Sequence, residues 1–262
     1  MDKNDLEEKK ATVRGGAPSV QSVRRAIEIL QCFNNNEALT LTQISKKVGL
    51  HKSTTYGIVS TLREAELLYK DEETEKYQLG TELCRIAANV RMGLRNICLP
   101  HIGKLCVETD ETVNLVIPDD TSVIYLEKTE SQHSVRSCTS IGMRLPMYCT
   151  AVGKAILAFL PPEDASAVLD RSMLVPRTVN TLTSKDTILK EIQNIRLTGY
   201  AVDQEELEEG LICVAVPVLN LKGNAIAAIS CSGPKQRMKD DRVQKISELL
   251  LQHARQVSYI IN

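Results

Sequence analysis

Apolar residues recur at helical spacing in three consecutive segments near the start of the chain. The stripe of the first segment, with Ser22 as its expected N-cap, is Val23, Ala26, Ile27, Leu30 and Phe33. The next two stripes lie on either side of Gly49 and are Leu41, Ile44 and Val48, then Thr55, Ile58, Val59 and Leu62. Because glycine adopts positive φ readily, two short helices can cross steeply at Gly49. The pattern predicts a helix-turn-helix.

The third segment carries small, polar and partly basic residues opposite its apolar stripe. These are Lys52, Ser53, Tyr56, Gly57 and Ser60. Lys52, Ser53 and Thr54 are expected near the helix N-terminus, where free backbone amides and the helix dipole favour phosphate. Tyr56 and Ser60 are placed to reach base edges or sugars in a DNA major groove. An ordinary helical hairpin shows a similar glycine turn, so the pattern alone leaves both interpretations open.

Two short strands are predicted directly after these helices. They cover residues 67–70 and 76–79 and are joined by the polar run 71–75, which is mostly acidic. Three helices followed by a hairpin make a winged helix. Phosphate would repel the acidic tip, so Lys70 and Lys76 at the strand ends are the expected contacts with the DNA backbone.

An amphipathic helix is predicted over residues 81–96, with Thr81 as its N-cap. Its apolar positions are Leu83, Ile86, Ala87, Val90 and Leu94. This face must meet a second domain or a partner chain. A dimer that places two recognition helices on successive half-sites is the economical explanation, and packing on its own domain is the alternative.

From about residue 110 the pattern alternates between strands and helices. Strands are predicted at 112–117, 122–127, 212–219 and 225–230, and helices at 151–160, at 184–198 and from about 238. Gly199 is expected to end the second of these helices. The order predicts an α+β domain in which helices pack on an antiparallel sheet.

Composition narrows the class of protein. A chain of 262 residues with 43% hydrophobic content is long enough for two domains. Its net charge of −1 means that affinity for nucleic acid must come from a local basic face and from dimerisation. Eight cysteines without a C-x-x-C pair or a preceding signal peptide predict free thiols in a reducing cytoplasm. No apolar run approaches the roughly 18 residues of a membrane span.

Four sequence blocks in order resemble the IclR-type bacterial transcription regulators. They are VGLHKSTTYGIVSTL from Val48, Gly142 with LPMYCTAVGKAILAFLP from Leu145, GYAVDQEELEEGLICVAVPV from Gly199, and AISCSGP from Ala228. The resemblance implies a DNA-binding regulator, more often a repressor, with a winged helix and a GAF-like effector-binding domain, in dimers that often pair into tetramers. The expected division is a flexible tail over 1–18, the winged helix over 19–80, the linker helix over 81–96 and the effector-binding domain over 97–262.

The resemblance also implies a site for a small organic acid. The matching positions are Leu145, Ala151, Val152, Asp203, Cys213, Ser230 and Ser232. The residue types suit a carboxylate, because small residues at a helix start expose backbone N–H groups and two serines two apart on a strand share one face. Asp203 would accept from a ligand hydroxyl or cap a turn, and Cys213 would line the site or act as a small buried apolar residue.

Two other hypotheses use the cysteines. Cys149, Cys213 and Cys231 fall in the pocket-forming blocks and would form a redox or soft-metal trigger if they cluster, although no ligand spacing supports this. A cysteine-dependent enzyme would need a histidine base, and no histidine lies in a recognisable nucleophile setting. We therefore expect no catalysis, metal or cofactor. Gly57 departs from the family, which often carries a basic or polar residue there, so operator preference should differ.

Overall fold

The computed structural model describes residues 20–33, 37–88 and 93–261. The chain divides into two compact units, residues 1–91 and 92–262. The predicted tail over 1–18 lies outside the described residues. Each unit is described by itself below.

The first unit contains the predicted winged helix. Its helices are Gln21–Gln31 (α1), Leu41–Val48 (α2) and Lys52–Glu64 (α3). Its strands are Leu39–Thr40 (β1), Leu68–Lys70 (β2) and Lys76–Leu79 (β3), paired antiparallel in the order β1-β3-β2. The two-residue strand β1 was not predicted, because it is too short to show alternation.

Local sequence accounts for the turn between α2 and α3. Thr40 and Gln43 form a reciprocal capping box at the start of α2. Gly49, at φ 66°, ends that helix in the left-handed conformation, as predicted. Ile44, Thr55 and Val59 are buried where the pattern placed them.

The predicted N-cap of α1 is wrong, and its predicted apolar stripe is right only in part. The helix begins at Gln21, so Val20 occupies the N-cap position and Ser22 lies inside the first turn. The buried contact of this helix is Ile29, whereas Val23 and Ile27 are 55% and 48% exposed. Ala26, Leu30 and Phe33 of the predicted stripe do pack in the core, so the buried face is shifted by part of a turn from the one read from the sequence.

The helix predicted over 81–96 is described only in part. Glu82–Ala88 forms α4 and Gly93–Thr109 forms α5, and residues 89–92 lie outside the described residues. Thr81 directly precedes α4, in the position expected of an N-cap. Helix α5 ends at Thr109, well beyond the predicted end at Asn96. It lies in the second unit, which begins at residue 92.

The second unit is built on a six-stranded antiparallel sheet. Its strands are Thr112–Asp119 (β4), Ser122–Thr129 (β5), Arg144–Pro146 (β6), Ala201–Gln204 (β7), Leu211–Leu219 (β8) and Ala225–Pro234 (β9), in the order β6-β5-β4-β9-β8-β7. Its further helices are Ala151–Ala158 (α6), Pro162–Arg171 (α7), Lys185–Thr198 (α8) and Asp240–Ile261 (α9). The α+β class is confirmed. The sequence analysis missed β6, β7 and α7.

Two apolar cores lie on opposite faces of this sheet. On one face, α5 and α9 pack on residues such as Leu115, Val214 and Ile229. On the other face, α6 packs on residues such as Val116 and Ala215, and α8 packs on α6. The face under α6 also carries the polar residues of the candidate site.

Candidate functional site

The N-terminus of α3 is open to solvent. Lys52, Ser53 and Thr54 are exposed, and His51 makes no side-chain cap. The first intrahelical bond runs from Thr55 N to His51 O, and no acceptor among the described residues meets the three preceding amides. Free amides and a lysine at one helix end form a phosphate-binding surface.

The outer side of α3 presents the predicted polar residues. Tyr56 is 58% exposed, Gly57 is exposed and Ser60 is half-buried. In the wing, Lys76 is exposed, whereas Lys70 is held by Glu75 at 2.5 Å. Lys76 is therefore the more available of the two wing lysines, because Lys70 would have to leave its ion pair to reach phosphate.

All seven predicted effector residues line one cavity of about 350 Å³ in the second unit. They are Leu145, Ala151, Val152, Asp203, Cys213, Ser230 and Ser232. Apolar walls come from Leu145, Leu207 and Leu211. Since one water occupies roughly 30 Å³ of liquid, the space suits a molecule of about ten non-hydrogen atoms. A larger, more open groove of about 900 Å³ beside β7 holds none of the seven residues.

Strand register brings distant parts of the sequence together in this cavity. Asp203 on β7 is opposite Cys213 on β8, which is opposite Ser232 on β9. One row across three strands thus carries a carboxyl, a thiol and a hydroxyl. Ser230, two residues before Ser232, is opposite Asn114 of β4, and the Asn114 amide donates to its hydroxyl at 3.5 Å.

The start of α6 forms the opposing wall. Thr150 caps the helix by accepting from Gly153 N at 3.2 Å. A side chain at Gly153 would place its Cβ 2.2 Å from Met147 Cα, so glycine permits the close approach of α6 to the turn before it. The amides of Ala151 and Val152, both residues buried, meet no acceptor among the described residues. Two buried free N–H groups can hold a carboxylate.

Asp203 caps a turn, as one of its two alternatives expects, and it also lines the cavity. Its side chain is 2% exposed and lines the cavity, and its Oδ1 accepts from Glu206 N at 2.7 Å, which caps the following turn. Burial raises the pKa of the Asp203 carboxyl to about 7. Near neutral pH this group exchanges its proton readily, so it can donate or accept a ligand hydrogen bond.

Sequence reasoning missed two charged residues of this region. Arg177, in the segment between α7 and α8, lines the cavity. Lys154 is fully buried on α6, where its Nζ binds Glu206, Glu191 Oε1 at 2.9 Å and Val202 O at 2.8 Å. A lone lysine in the apolar run AVGKAILA was a readable signal of a buried ion pair, whereas nothing near Arg177 distinguishes it from a solvated surface residue.

The cysteine hypothesis is not favoured. Cys231 packs in the core under α5 and α9, while Cys149 and Cys213 lie on the face of α6, so the three thiols do not gather. Burial raises the pKa of the Cys149 thiol to about 11 and that of Cys213 further. Protonated buried thiols are poor nucleophiles and poor metal ligands. Within the described ranges, no group of three or more metal-ligating side chains gathers.

Comparison with known proteins identifies the chain. Residues 22–72 match the IclR helix-turn-helix domain, and residues 86–259 match the bacterial transcriptional regulator IclR C-terminal domain. The chain belongs to the IclR family of bacterial transcriptional regulators. It is therefore a DNA-binding regulator, and the resemblance read from the four sequence blocks is confirmed.

Individual IclR-family relatives match over nearly the whole chain. The regulator KdgR of Escherichia coli K12 is 33% identical over 245 residues, 92% of each protein. The repressor AllR of the same strain is 30% identical over 241 residues, 91% of this chain and 89% of AllR. A crystal structure of an IclR homologue from Microbacterium hydrocarbonoxydans, complexed with 4-hydroxybenzoate, has the same fold, with a TM-score of 0.83, 24% identity, and coverage of 91% and 98%.

Among the helices that the structure describes, none is both long and apolar enough to cross a membrane.

Proposed function

We propose that this IclR-family regulator binds a small carboxylate in the α6 cavity and that the bound acid changes its affinity for an operator. In this proposal the protein acts as a repressor in the cytoplasm, without catalysis and without a metal or cofactor. The observation that carries it is the convergence of two free helix amides, two strand hydroxyls and Asp203 on one cavity of suitable size.

Two relatives support parts of this proposal. AllR is named a repressor, and the Microbacterium homologue was crystallised with an aromatic carboxylate. Effector control requires only that the acid bind two arrangements of the protein with different affinities. Repression would follow from occupation of a promoter.

We assign DNA contact to α3 and the wing. Lys52, Ser53 and Thr54 with their free amides would meet phosphate, Tyr56 and Ser60 would reach bases or sugars, and Lys76 would contact the backbone. Lys52→Ala should lower affinity for a selected DNA duplex and reduce the slope of log K against log salt by about 0.9. Lys245→Ala, an exposed lysine of the second unit, is the control. Unchanged affinity in both Lys52→Ala and Tyr56→Ala would contradict the assignment.

We further propose that the chain forms a homodimer through α1, with a dimer of dimers as the larger assembly. Val20, Val23 and Ile27 leave an apolar stripe on this helix exposed, flanked by Arg24 and Glu28. Two antiparallel copies of α1 would bury the stripe and bring these opposite charges together. Light scattering should show that Ile27→Glu loses the dimer while Ser22→Glu, on the same helix, keeps it. A dimeric Ile27→Glu would exclude this interface.

The effector proposal is tested with the full chain and four acids: 2-oxobutyrate, lactate, gluconate and 4-hydroxybenzoate. An acid at 100 times its Kd adds about 2.7 kcal/mol to the free energy of unfolding, which raises the melting temperature. Ser232→Ala and Asp203→Ala should lose the rise, and Ser247→Ala, on the opposite side of the sheet, should retain it. A rise that persists in the two cavity variants would place the ligand elsewhere.

A further inference from the structure

Arg177 differs from most arginines of the second unit in having no ion pair among the described residues. No carboxylate oxygen of the described residues lies within 4.0 Å of its guanidinium. Six arginines of the same unit do form ion pairs with Asp or Glu: Arg95, Arg136, Arg144, Arg171, Arg237 and Arg242. A guanidinium carries five N–H donors in a fork that matches a carboxylate. One such group lines the cavity with no carboxylate to balance its charge, and its neighbour is the neutral hydroxyl of Tyr148.

The backbone around Arg177 is held in place. Its N–H donates to Thr181 Oγ1 at 3.0 Å, and Thr181 Oγ1 donates to Glu206 O at 2.6 Å. Thr178 Oγ1 donates to Glu205 O at 2.5 Å, and the Tyr148 hydroxyl donates to Val175 O at 2.6 Å. The segment is thus fastened both to the turn after β7 and to the residues before α6. A positioned cation loses less entropy on binding an anion than a mobile one does.

Electrostatics place the guanidinium beside the start of α6. Burial raises the pKa of the Cys149 thiol to about 11, and the positive charge of Arg177 opposes part of that rise. Cys149 comes two residues before Ala151, whose amide is free. Arg177 therefore lies near the part of the cavity that the free amides line.

The cavity needs this cation if it is to hold an acid. Asp203 and Glu208 line it as well, and among the described lining residues Arg177 is the one cationic side chain. Lys154 is occupied by Glu206 and Glu191 outside the lining. Without Arg177, a ligand carboxylate would face the acidic side chains with only neutral donors in its favour, the amides of α6 and the hydroxyls of Ser230 and Ser232.

We propose that Arg177 is the specificity-determining residue of the cavity, pairing its guanidinium with the effector carboxylate while the amides of Ala151 and Val152 bind the same group. This inference rests on the proposed function, since it assumes that the cavity takes an acid. The pair selects carboxylic acids over neutral molecules of the same shape, because charge-assisted forked hydrogen bonds are stronger than neutral ones.

The test is calorimetric titration of the full chain with the same four acids and with their primary amides. In Arg177→Gln, affinity for the acid that binds the wild-type chain most tightly should fall about 10- to 100-fold, while affinity for its amide changes little. Arg177→Lys should be intermediate, because lysine keeps the charge and loses the fork. Arg171→Gln is the matched control, an exposed arginine paired with Asp120 and absent from the cavity lining.

The possible outcomes distinguish the role of Arg177 from the proposal that the cavity binds an acid. Acid binding of wild-type strength in Arg177→Gln, with the fold intact by circular dichroism, would overturn the role of Arg177 and leave the effector cavity standing. An equal loss for acid and amide would also overturn it, since that indicates a damaged cavity. Failure of all four acids to bind the wild-type chain would overturn the proposed function and this inference together.

Discussion

The two faces of the six-stranded sheet use the same strands in different ways. Towards α5 and α9, strands β4, β8 and β9 present Leu115, Val214 and Ile229, none of them exposed. Towards α6, their immediate neighbours on the same strands include Asn114, Cys213 and Ser230. Branched apolar side chains fill one face, and shorter or polar ones leave space on the other. The closed face stabilises the unit, and the open face is available for a ligand.

The largest effect should come from the ion cluster that supports the open face. Lys154→Met leaves Glu206 buried without its cation, and removing one partner of a buried pair costs about 3–5 kcal/mol. Unfolding of the full chain in guanidinium chloride, followed by a signal from the second unit, measures this loss in the free energy of unfolding. Adding Glu206→Gln to Lys154→Met should restore most of the lost stability, because the buried charge left without a partner is then removed as well. A Lys154→Met chain as stable as wild type would show that the face does not depend on this cluster.

The closed face should respond to lost volume. Leu115→Ala removes buried atoms from a filled core and should lower the free energy of unfolding by about 3 kcal/mol. Ser230→Ala, on the neighbouring strand β9 and facing the cavity, should lower the free energy of unfolding by less than about 1 kcal/mol. The same unfolding measurement compares them. Equal losses would contradict the division of roles between the faces.

Stability should depend on pH through Asp203. The unfolded carboxyl titrates near 3.9, and the folded one has a pKa of about 7. Between these values the folded state holds the extra proton, so stability is fully present below the lower pKa and is lost as pH rises through the higher one. From pH 5 to 7 the loss is about 2–3 kcal/mol.

Asp203→Asn should remove this slope because an amide does not titrate, and Asp164→Asn, in the exposed first turn of α7, should leave it unchanged. Thermal unfolding across the pH range provides the measurement. The same slope in wild type and Asp203→Asn would assign it to other groups.

Local signals predicted much of the fold. The glycine turn at Gly49 and the apolar positions Thr55, Val59 and Leu62 were read correctly, because helical periodicity and a left-handed turn are local properties. Short elements such as β1 and β7 were missed because so few residues show no period. Ser22 was wrongly taken as a cap because a serine beside an apolar stripe does not fix where the helix begins.

The site depended on information that is not local. The row from Asp203 through Cys213 to Ser232 exists because of strand register, and the sequence analysis reached those residues only by resemblance. Strand alternation alone should have separated Cys231 from Cys213, since Cys231 lies between two cavity-facing serines. Arg177 sits in an irregular segment, and only the fold reveals that its guanidinium lines the cavity without a carboxylate partner.

The most direct test of effector control is the affinity of the full chain for a DNA duplex selected from a random pool, measured with and without the tightest-binding of the four acids. We predict that the acid changes the Kd for DNA about 5- to 150-fold in the wild-type chain. Ser232→Ala should bind DNA as the wild type does and show no change at the same acid concentration. An acid that binds in the cavity but leaves the wild-type Kd for DNA unchanged would contradict the account.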